Sequence, residues 1–164
     1  MHRDRLLTAA PALACAALLG FGYYLQYFDN QDPCPLCLVQ RAFYYLVLGT
    51  CAVAALHGPG RIMRGVYCAL AGLFALGGFG VAARQVWLQH LPPDQVPACG
   101  PDLFFMMENF PLSRTLEKLF MGSGQCAEVN WRFLGLSIAE WSLACFIVLA
   151  LYALWLAARR PQRR

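Results

Sequence analysis

The sequence predicts an all-α membrane protein, in which one domain of 164 residues forms a bundle of four transmembrane helices. Two observations support this prediction. The first is composition, because 59% of the residues are hydrophobic and 13% are charged, whereas soluble domains are about 45–50% apolar and about 25% charged. The second is arrangement, because the apolar residues collect in four long runs. Each run reaches the roughly 20 residues that a helix needs to cross a bilayer.

The four predicted spans cover residues 6–28, 36–56, 62–83 and 138–158. The first has no charged residue and is too long for the apolar core of a signal peptide, and no A-x-A cleavage site follows it. The proline inside it, Pro11, is tolerated in transmembrane helices. The third span is rich in small residues that let helices pack closely in lipid. These are Gly65, Ala69, Gly72, Ala75, Gly77, Gly78 and Gly80.

The arginines set the orientation of the bundle. With four spans, eight arginines fall on one side: Arg3, Arg5, Arg61, Arg64, Arg159, Arg160, Arg163 and Arg164. The positive-inside rule makes that side the cytoplasm, so both termini are expected to be cytoplasmic. Residues 29–35 and 85–137 then lie on the opposite, outer side. The net charge of +4 resides at the chain ends and in one short loop, so no nucleic-acid-binding surface is predicted.

The long outer segment, residues 85–137, is expected to carry one short helix. It begins with several prolines, and its stretch 112–121 has an amphipathic pattern. The apolar face of that stretch would hold Leu112, Leu116, Leu119 and Phe120. Two interpretations remain open at this point: an interfacial helix that rests on the bilayer, or a small cap packed on the end of the bundle.

The eight cysteines fall into two groups of four. Four lie inside apolar runs and are expected to be buried as small hydrophobic residues: Cys15, Cys51, Cys68 and Cys145. The other four lie in or beside the outer polar segments: Cys34, Cys37, Cys99 and Cys126. In an oxidising compartment, this second group predicts two disulfides or two redox-active pairs.

The segment from Asp32 to Arg41 carries the most specific chemistry. On a helix, Cys34, Cys37 and Arg41 share one face, because positions three and four apart are neighbours. We expect Asp32 to cap this helix, with proline accepted in its first turn. A helix N-terminus and a guanidinium both stabilise a thiolate. The segment therefore predicts a reactive thiol beside a fixed positive charge.

Other readings of the Cys-x-x-Cys motif are less well supported. Haem attachment requires a histidine after the second cysteine, where Leu38 stands. A structural zinc site requires four ligands at closed spacing, and no histidine pair accompanies these cysteines, so no metal is predicted. For Arg41, two roles remain open: it extends to the interface as an ordinary membrane arginine, or it stabilises an anion near Cys37.

Taken together, these motifs resemble the disulfide bond formation protein B (DsbB) family of bacterial inner membranes. The resemblance covers nearly the whole chain. Its elements are the four spans, Cys34-Pro35-Leu36-Cys37 followed by Gln40-Arg41, the second outer loop with Cys99 and Cys126, and Cys126-Ala127-Glu128 with Trp131-Arg132-Phe133-Leu134-Gly135-Leu136 leading to Trp141.

The resemblance implies a protein-dithiol:quinone oxidoreductase of the bacterial inner membrane. Such proteins re-oxidise a periplasmic thioredoxin-fold dithiol oxidase, DsbA, and pass its electrons to a membrane quinone, ubiquinone or menaquinone. Carried over by position, Cys99 would form the mixed disulfide with the partner, and Cys126 would attack Cys34. Cys37 would then be left as the thiolate facing the quinone, which Arg41 would hold.

The resemblance also implies a second quinone contact near the outer end of the third span. Many relatives have a histidine there, and this chain has Gln85, next to Arg84. Gln85 is therefore the expected residue at the second cofactor contact.

Two rival functions are weaker. A carrier that moves electrons outward from cytoplasmic thioredoxin needs reactive cysteines on both faces of the membrane, whereas all four candidates lie on one face. A scaffold with two structural disulfides leaves Arg41 and the half-embedded Cys34–Cys37 pair unexplained.

Overall fold

The computed structural model describes residues 2–29, 33–92, 94–96, 111, 124–129 and 131–159. Four long helices form the bundle: α1 (His2–Phe28), α2 (Pro35–His57), α3 (Arg61–Gln89) and α5 (Ile138–Ala158). Each of them is long and apolar enough to cross a membrane. The predicted four-helix, all-α membrane architecture is therefore confirmed. The helix expected over 112–121 lies outside the described residues.

Between α3 and α5 the structure describes two further small elements. The first is a single helical turn, α4 (Gly124–Ala127). The second is an antiparallel hairpin of two-residue strands, β1 (Arg132–Phe133) and β2 (Leu136–Ser137). The turn of the hairpin has positive φ at Leu134 and Gly135, 53° and 84°. The indole of Trp141 on α5 donates to the Phe133 carbonyl at 3.0 Å, which fixes the hairpin to the bundle.

Helix α3 is the centre of the packing, because it contacts both α2 and α5 extensively, while α1 packs mainly on α2. Its glycines allow this close approach. A Cβ atom on Gly77 would overlap the Phe43 ring of α2, and one on Gly78 would overlap the Phe146 ring of α5. Gly77 and Gly78 therefore have the packing role that the sequence predicts for small residues of the third span, whereas a Cβ atom on Gly65 or Gly80 would meet nothing within 4 Å.

The core between α2, α3 and α5 centres on an aromatic pair. The rings of Tyr44 and Phe146 stack with centroids 4.2 Å apart, and Phe146 is fully buried. The Tyr44 hydroxyl lies 3.1 Å from the Ser142 hydroxyl, so its polar atom is satisfied inside the apolar bundle. Of the cysteines in apolar runs, Cys15 and Cys51 belong to this same core, as expected for small hydrophobic side chains.

Helix α3 continues to Gln89, six residues beyond the predicted end at 83. The charge of Arg84 and the polar Gln85 suggested an end there, but no helix-breaking residue occurs before Pro92. Leu88 is fully buried, so the extra turns have their own packing face. Gln85 therefore lies inside the helix, and not in the outer segment to which the sequence pattern assigned it.

The ends of the bundle differ in character, as the arginine pattern predicts. At one end, the guanidinium of Arg5 lies against Gly58, the left-handed residue that ends α2 with φ 58°. At the same end, Arg64 donates to the carbonyl of Arg159, the residue that follows α5. Cys34 and Cys37 lie at the opposite end, where α2 begins.

We predict that Gly78→Ala destabilises the bundle, because the added methyl group overlaps the buried Phe146 ring. Overpacking of this kind costs about 1–3 kcal/mol. The matched control is Gly80→Ala on the same helix, where a Cβ atom meets nothing within 4 Å. Thermal unfolding in detergent should show a lower midpoint for Gly78→Ala alone. Equal midpoints for the two variants would contradict the close α3–α5 contact.

Candidate active site

The candidate site begins at the N-terminus of α2. Cys34 is the N-cap residue, with φ −66° and ψ 162°, and its Sγ accepts the backbone N–H of Cys37 at 3.4 Å. Pro35 occupies the first helical position, where its fixed φ suits the helix and its missing N–H costs nothing. The expectation that Asp32 caps this helix is wrong, because the cap lies two residues later, on Cys34 itself.

The two cysteines of the motif lie in contact. Their Sγ atoms are 2.9 Å apart, and a disulfide bond of about 2.05 Å joins cysteines in this i, i+3 arrangement with little movement. Cys34 is 7% exposed, while Cys37 is partly exposed and lines a cavity described below. The pair is therefore held by a helix start and shielded from bulk solvent.

A third cysteine meets this pair. The short helix α4 packs against α3 and α2 and places Cys126, which is fully buried, in a cluster with Cys34, Leu36 and Leu88. The Cys34 thiol is hydrogen-bonded to Cys126 and to Cys37. These hydrogen bonds, together with burial, raise the pKa of Cys34, so that its protonated form is favoured. Cys99, the fourth predicted cysteine, lies outside the described residues.

Two buried glutamines adjoin the sulfur atoms. The Gln85 amide nitrogen, on α3, donates to Cys37 Sγ at 3.3 Å and to Cys34 Sγ at 3.4 Å. Its carbonyl oxygen accepts the Gln40 amide of α2 at 2.6 Å. Gln85 is 4% exposed and Gln40 is 5% exposed. Gln85, expected as a cofactor contact, therefore lies first of all against the cysteine pair.

Arg41 connects α2 to α1. Its guanidinium donates to Gln26 Oε1 at 2.6 Å and to the Gly22 carbonyl at 3.0 Å. It also lies over the Tyr23 ring, 4.8 Å from the centroid, as a cation–π contact. The side chain is thus fixed against α1 instead of extending freely to the interface. A guanidinium has five N–H donors, so these two hydrogen bonds leave capacity for a further acceptor.

A cavity of about 590 Å³ opens beside these residues. Its walls are largely apolar, from the outer half of α1, the hairpin and the start of α5. Its polar end is formed by Cys34, Cys37, Gln40, Arg41 and Gln85. Ligand pockets for small molecules have volumes of roughly 300–1,000 Å³, with apolar walls and a few convergent polar groups. This cavity has both properties.

The structure adds residues that the sequence analysis did not select as site residues. Gln40 had a usable signal: it is a polar residue in an apolar span, three positions after Cys37 and so on the same helical face. Gln26 had none, because its contact with Arg41 depends on how α1 packs on α2. The aromatic wall of the cavity, Phe21 against Trp131, joins residues 110 positions apart, with ring centroids separated by 5.9 Å.

Comparison with known proteins gives one consistent result. The family model described as disulfide bond formation protein DsbB matches residues 4–156. A disulfide bond formation protein B of Polaromonas naphthalenivorans is 49% identical over 166 residues, which cover 100% of this chain and 97% of the relative. Its counterpart from Aromatoleum aromaticum is 49% identical over 146 residues, 89% of this chain and 87% of the relative. That of Azoarcus sp. is 50% identical over 149 residues, 91% and 89% of the two chains.

The contact between Cys34 and Cys126 predicts a specific disulfide. In the double variant Cys37→Ala/Cys99→Ala, Cys34 and Cys126 are the remaining cysteines of the outer group. Mild oxidation with copper phenanthroline should therefore join them, and peptide mass spectrometry after alkylation should identify the bond. The triple variant that also carries Cys34→Ala is the control and should leave Cys126 as an alkylated thiol. Free Cys126 in the double variant would contradict the observed packing of α4.

Proposed function

The chain belongs to the disulfide bond formation protein B family, and we propose that it re-oxidises a periplasmic DsbA-like thiol oxidase and transfers the electrons to a membrane quinone. Family membership makes the chain a disulfide oxidoreductase with several membrane-spanning helices. The observation that carries the finer proposal is the contact of Cys126 with the Cys34–Cys37 pair, beside an apolar cavity that opens within the bundle.

The proposed relay starts outside the bundle. A thiolate of the partner attacks Cys99 in a Cys99–Cys126 disulfide, which forms a mixed disulfide and releases the Cys126 thiolate. Cys126 then attacks Cys34 in the Cys34–Cys37 disulfide, which forms a Cys126–Cys34 bond and releases the Cys37 thiolate. Such exchange requires contact between the attacking and attacked sulfur atoms. The packing of Cys126 against Cys34 supports this step.

Two further disulfide exchanges complete the transfer of two electrons from the partner. The second thiolate of the partner attacks the mixed disulfide, so the partner leaves oxidised and Cys99 leaves as a thiolate. Cys99 then attacks Cys126, which restores the Cys99–Cys126 disulfide and releases Cys34. The net result is one new disulfide in the partner and two electrons stored in reduced Cys34 and Cys37. The raised pKa of Cys34 favours protonation of its thiolate once it has been released.

The residues around the cavity suit a quinone. When bound, a quinone accepts two electrons and two protons in all, which returns Cys34 and Cys37 to the disulfide. The apolar walls would hold its ring and the start of its isoprenoid tail, and Arg41 would donate to a ring oxygen. Arg41 is fixed in position by Gln26 and Gly22, so it provides a preorganised positive charge at this end of the cavity.

The proposed location is the bacterial inner membrane, with both termini in the cytoplasm. Support comes from the arginines, because Arg5, Arg64 and Arg159 lie at the end of the bundle opposite to Cys34. The three described reactive cysteines, Cys34, Cys37 and Cys126, lie together at one end. This placement favours oxidation of a periplasmic partner over electron transport from the cytoplasm, which requires reactive cysteines at both ends.

We expect four cysteines to be essential and four to be dispensable. Alanine at Cys34, Cys37, Cys99 or Cys126 should abolish quinone-dependent oxidation of the reduced partner. Serine or alanine at Cys15, Cys51, Cys68 or Cys145 should retain activity, because these positions serve packing. The assay mixes purified protein, reduced partner, and ubiquinone or menaquinone, and follows quinone reduction by absorbance. Full activity of Cys37→Ala would refute the relay. If the alanine variants of the four cysteines lost activity only because they failed to fold, the cysteines would form a structural scaffold.

For Arg41 we expect a defect in quinone use. Arg41→Lys keeps the charge but loses the planar fork of donors that bonds Gln26 and Gly22 together. The apparent KM for quinone should rise about tenfold, since one charge-assisted hydrogen bond contributes about 1.5–3 kcal/mol. The KM for the partner should stay the same. An unchanged KM for quinone would show that Arg41 only connects α2 to α1.

A further inference from the structure

We propose that Gln85, oriented by Gln40, is a positioning residue that stabilises the reduced form of the Cys34–Cys37 pair. This inference deepens the proposed function and rests on it. The sequence resemblance implies a cofactor contact at Gln85, whereas the structure places its amide nitrogen against the two sulfur atoms, 3.3 Å from Cys37 and 3.4 Å from Cys34. One donor group thus serves both cysteines of the pair.

Gln40 determines which way the Gln85 amide points. The Gln40 nitrogen donates to Gln85 Oε1 at 2.6 Å, and an amide nitrogen cannot accept such a bond. The oxygen of Gln85 therefore faces Gln40 and lies 3.6 Å from Cys37 Sγ. Its N–H₂ group lies nearer to both sulfur atoms, 3.3 Å from Cys37 and 3.4 Å from Cys34. Both side chains are at least nine-tenths buried, so water cannot readily replace this donor. The orientation comes from two adjacent helices, α2 and α3, and not from the cysteine segment alone.

The Gln85 donor should change the redox equilibrium of the Cys34–Cys37 pair, because reduction adds negative charge to the sulfur atoms. Reduction of the Cys34–Cys37 disulfide breaks one S–S bond and adds two electrons, and two protons make the product a dithiol. The product is a better hydrogen-bond acceptor than the disulfide, above all where one sulfur remains a thiolate. A fixed N–H donor therefore stabilises the reduced pair more than the oxidised pair. Gln85 should make the pair a stronger oxidant, and so a better acceptor for electrons from Cys126.

The test compares Gln85→Leu with the wild-type chain. Purified full-length protein, washed free of quinone in detergent, is equilibrated in glutathione buffers under argon. Differential alkylation and peptide mass spectrometry then give the oxidised fraction of Cys34 and Cys37. We expect Gln85→Leu to shift the equilibrium about tenfold toward the disulfide, which corresponds to about 30 mV for a two-electron couple.

Two further variants separate redox tuning from folding. Gln89→Leu is the matched control, because Gln89 lies one turn along α3 and accepts a hydrogen bond from Ser137 at 2.8 Å. Within the described part of the chain, Gln89 has no hydrogen bond to a sulfur atom. This variant should leave the equilibrium unchanged. The double variant Gln40→Leu/Gln85→Leu removes both amides, so no buried polar group is left unpaired. It should show the same tenfold shift as Gln85→Leu while folding normally.

The outcomes distinguish this inference from the proposed function. An unchanged equilibrium in both Gln85→Leu and the double variant would overturn the inference, even if the wild-type chain reduces quinone. A shift of equal size in Gln89→Leu would also overturn it, since the effect would then be a general loss of packing on α3. A shift confined to the Gln85 variants, in a chain that fails to reduce quinone, would support the inference and refute the quinone relay.

Discussion

The structure depends on holding the Cys34 sulfur at the first turn of a membrane helix. Cys34 caps α2, contacts Cys37, and packs against Cys126 from a distant part of the chain. Each contact constrains the others, because a capping residue cannot rotate away without exposing the first N–H groups of the helix. The proposed chemistry would therefore use a residue that also caps the helix.

Helix α3 provides the rigid support for this arrangement. Gly77 and Gly78 bring α2 and α5 into direct contact with its backbone, which positions the cysteine turn of α2 against the extension of α3. That extension, past residue 83, carries Gln85 and the buried Leu88 to the sulfur atoms. A helix that stopped at residue 83 would leave the cysteine pair without its polar neighbour. The environment of the sulfur atoms therefore depends on the length of α3.

Much of the fold was predictable because membrane-spanning helices can be recognised from their long runs of apolar residues. The four spans, their order, and the grouping of arginines at one end follow from hydropathy and charge alone. Cys34, Cys37 and Arg41 could also be identified, since their spacing places them on one helical face. The Gln40–Gln85 pair could not, because it joins two spans 45 positions apart. Such contacts depend on helix rotation, which the apolar pattern of a membrane span specifies poorly.

The hairpin between α4 and α5 has a kinetic consequence. Only eleven positions separate Cys126 from Ser137, the capping residue of α5, and Trp141 holds the hairpin among them to the bundle. Short flexible tethers give effective concentrations of about millimolar, and Cys126 is already packed in one cluster with Cys34. In the proposed relay, small thiols in the surroundings would therefore compete poorly with Cys126 for Cys34. In the proposed relay, the bimolecular part of turnover would be confined to the encounter with the partner protein.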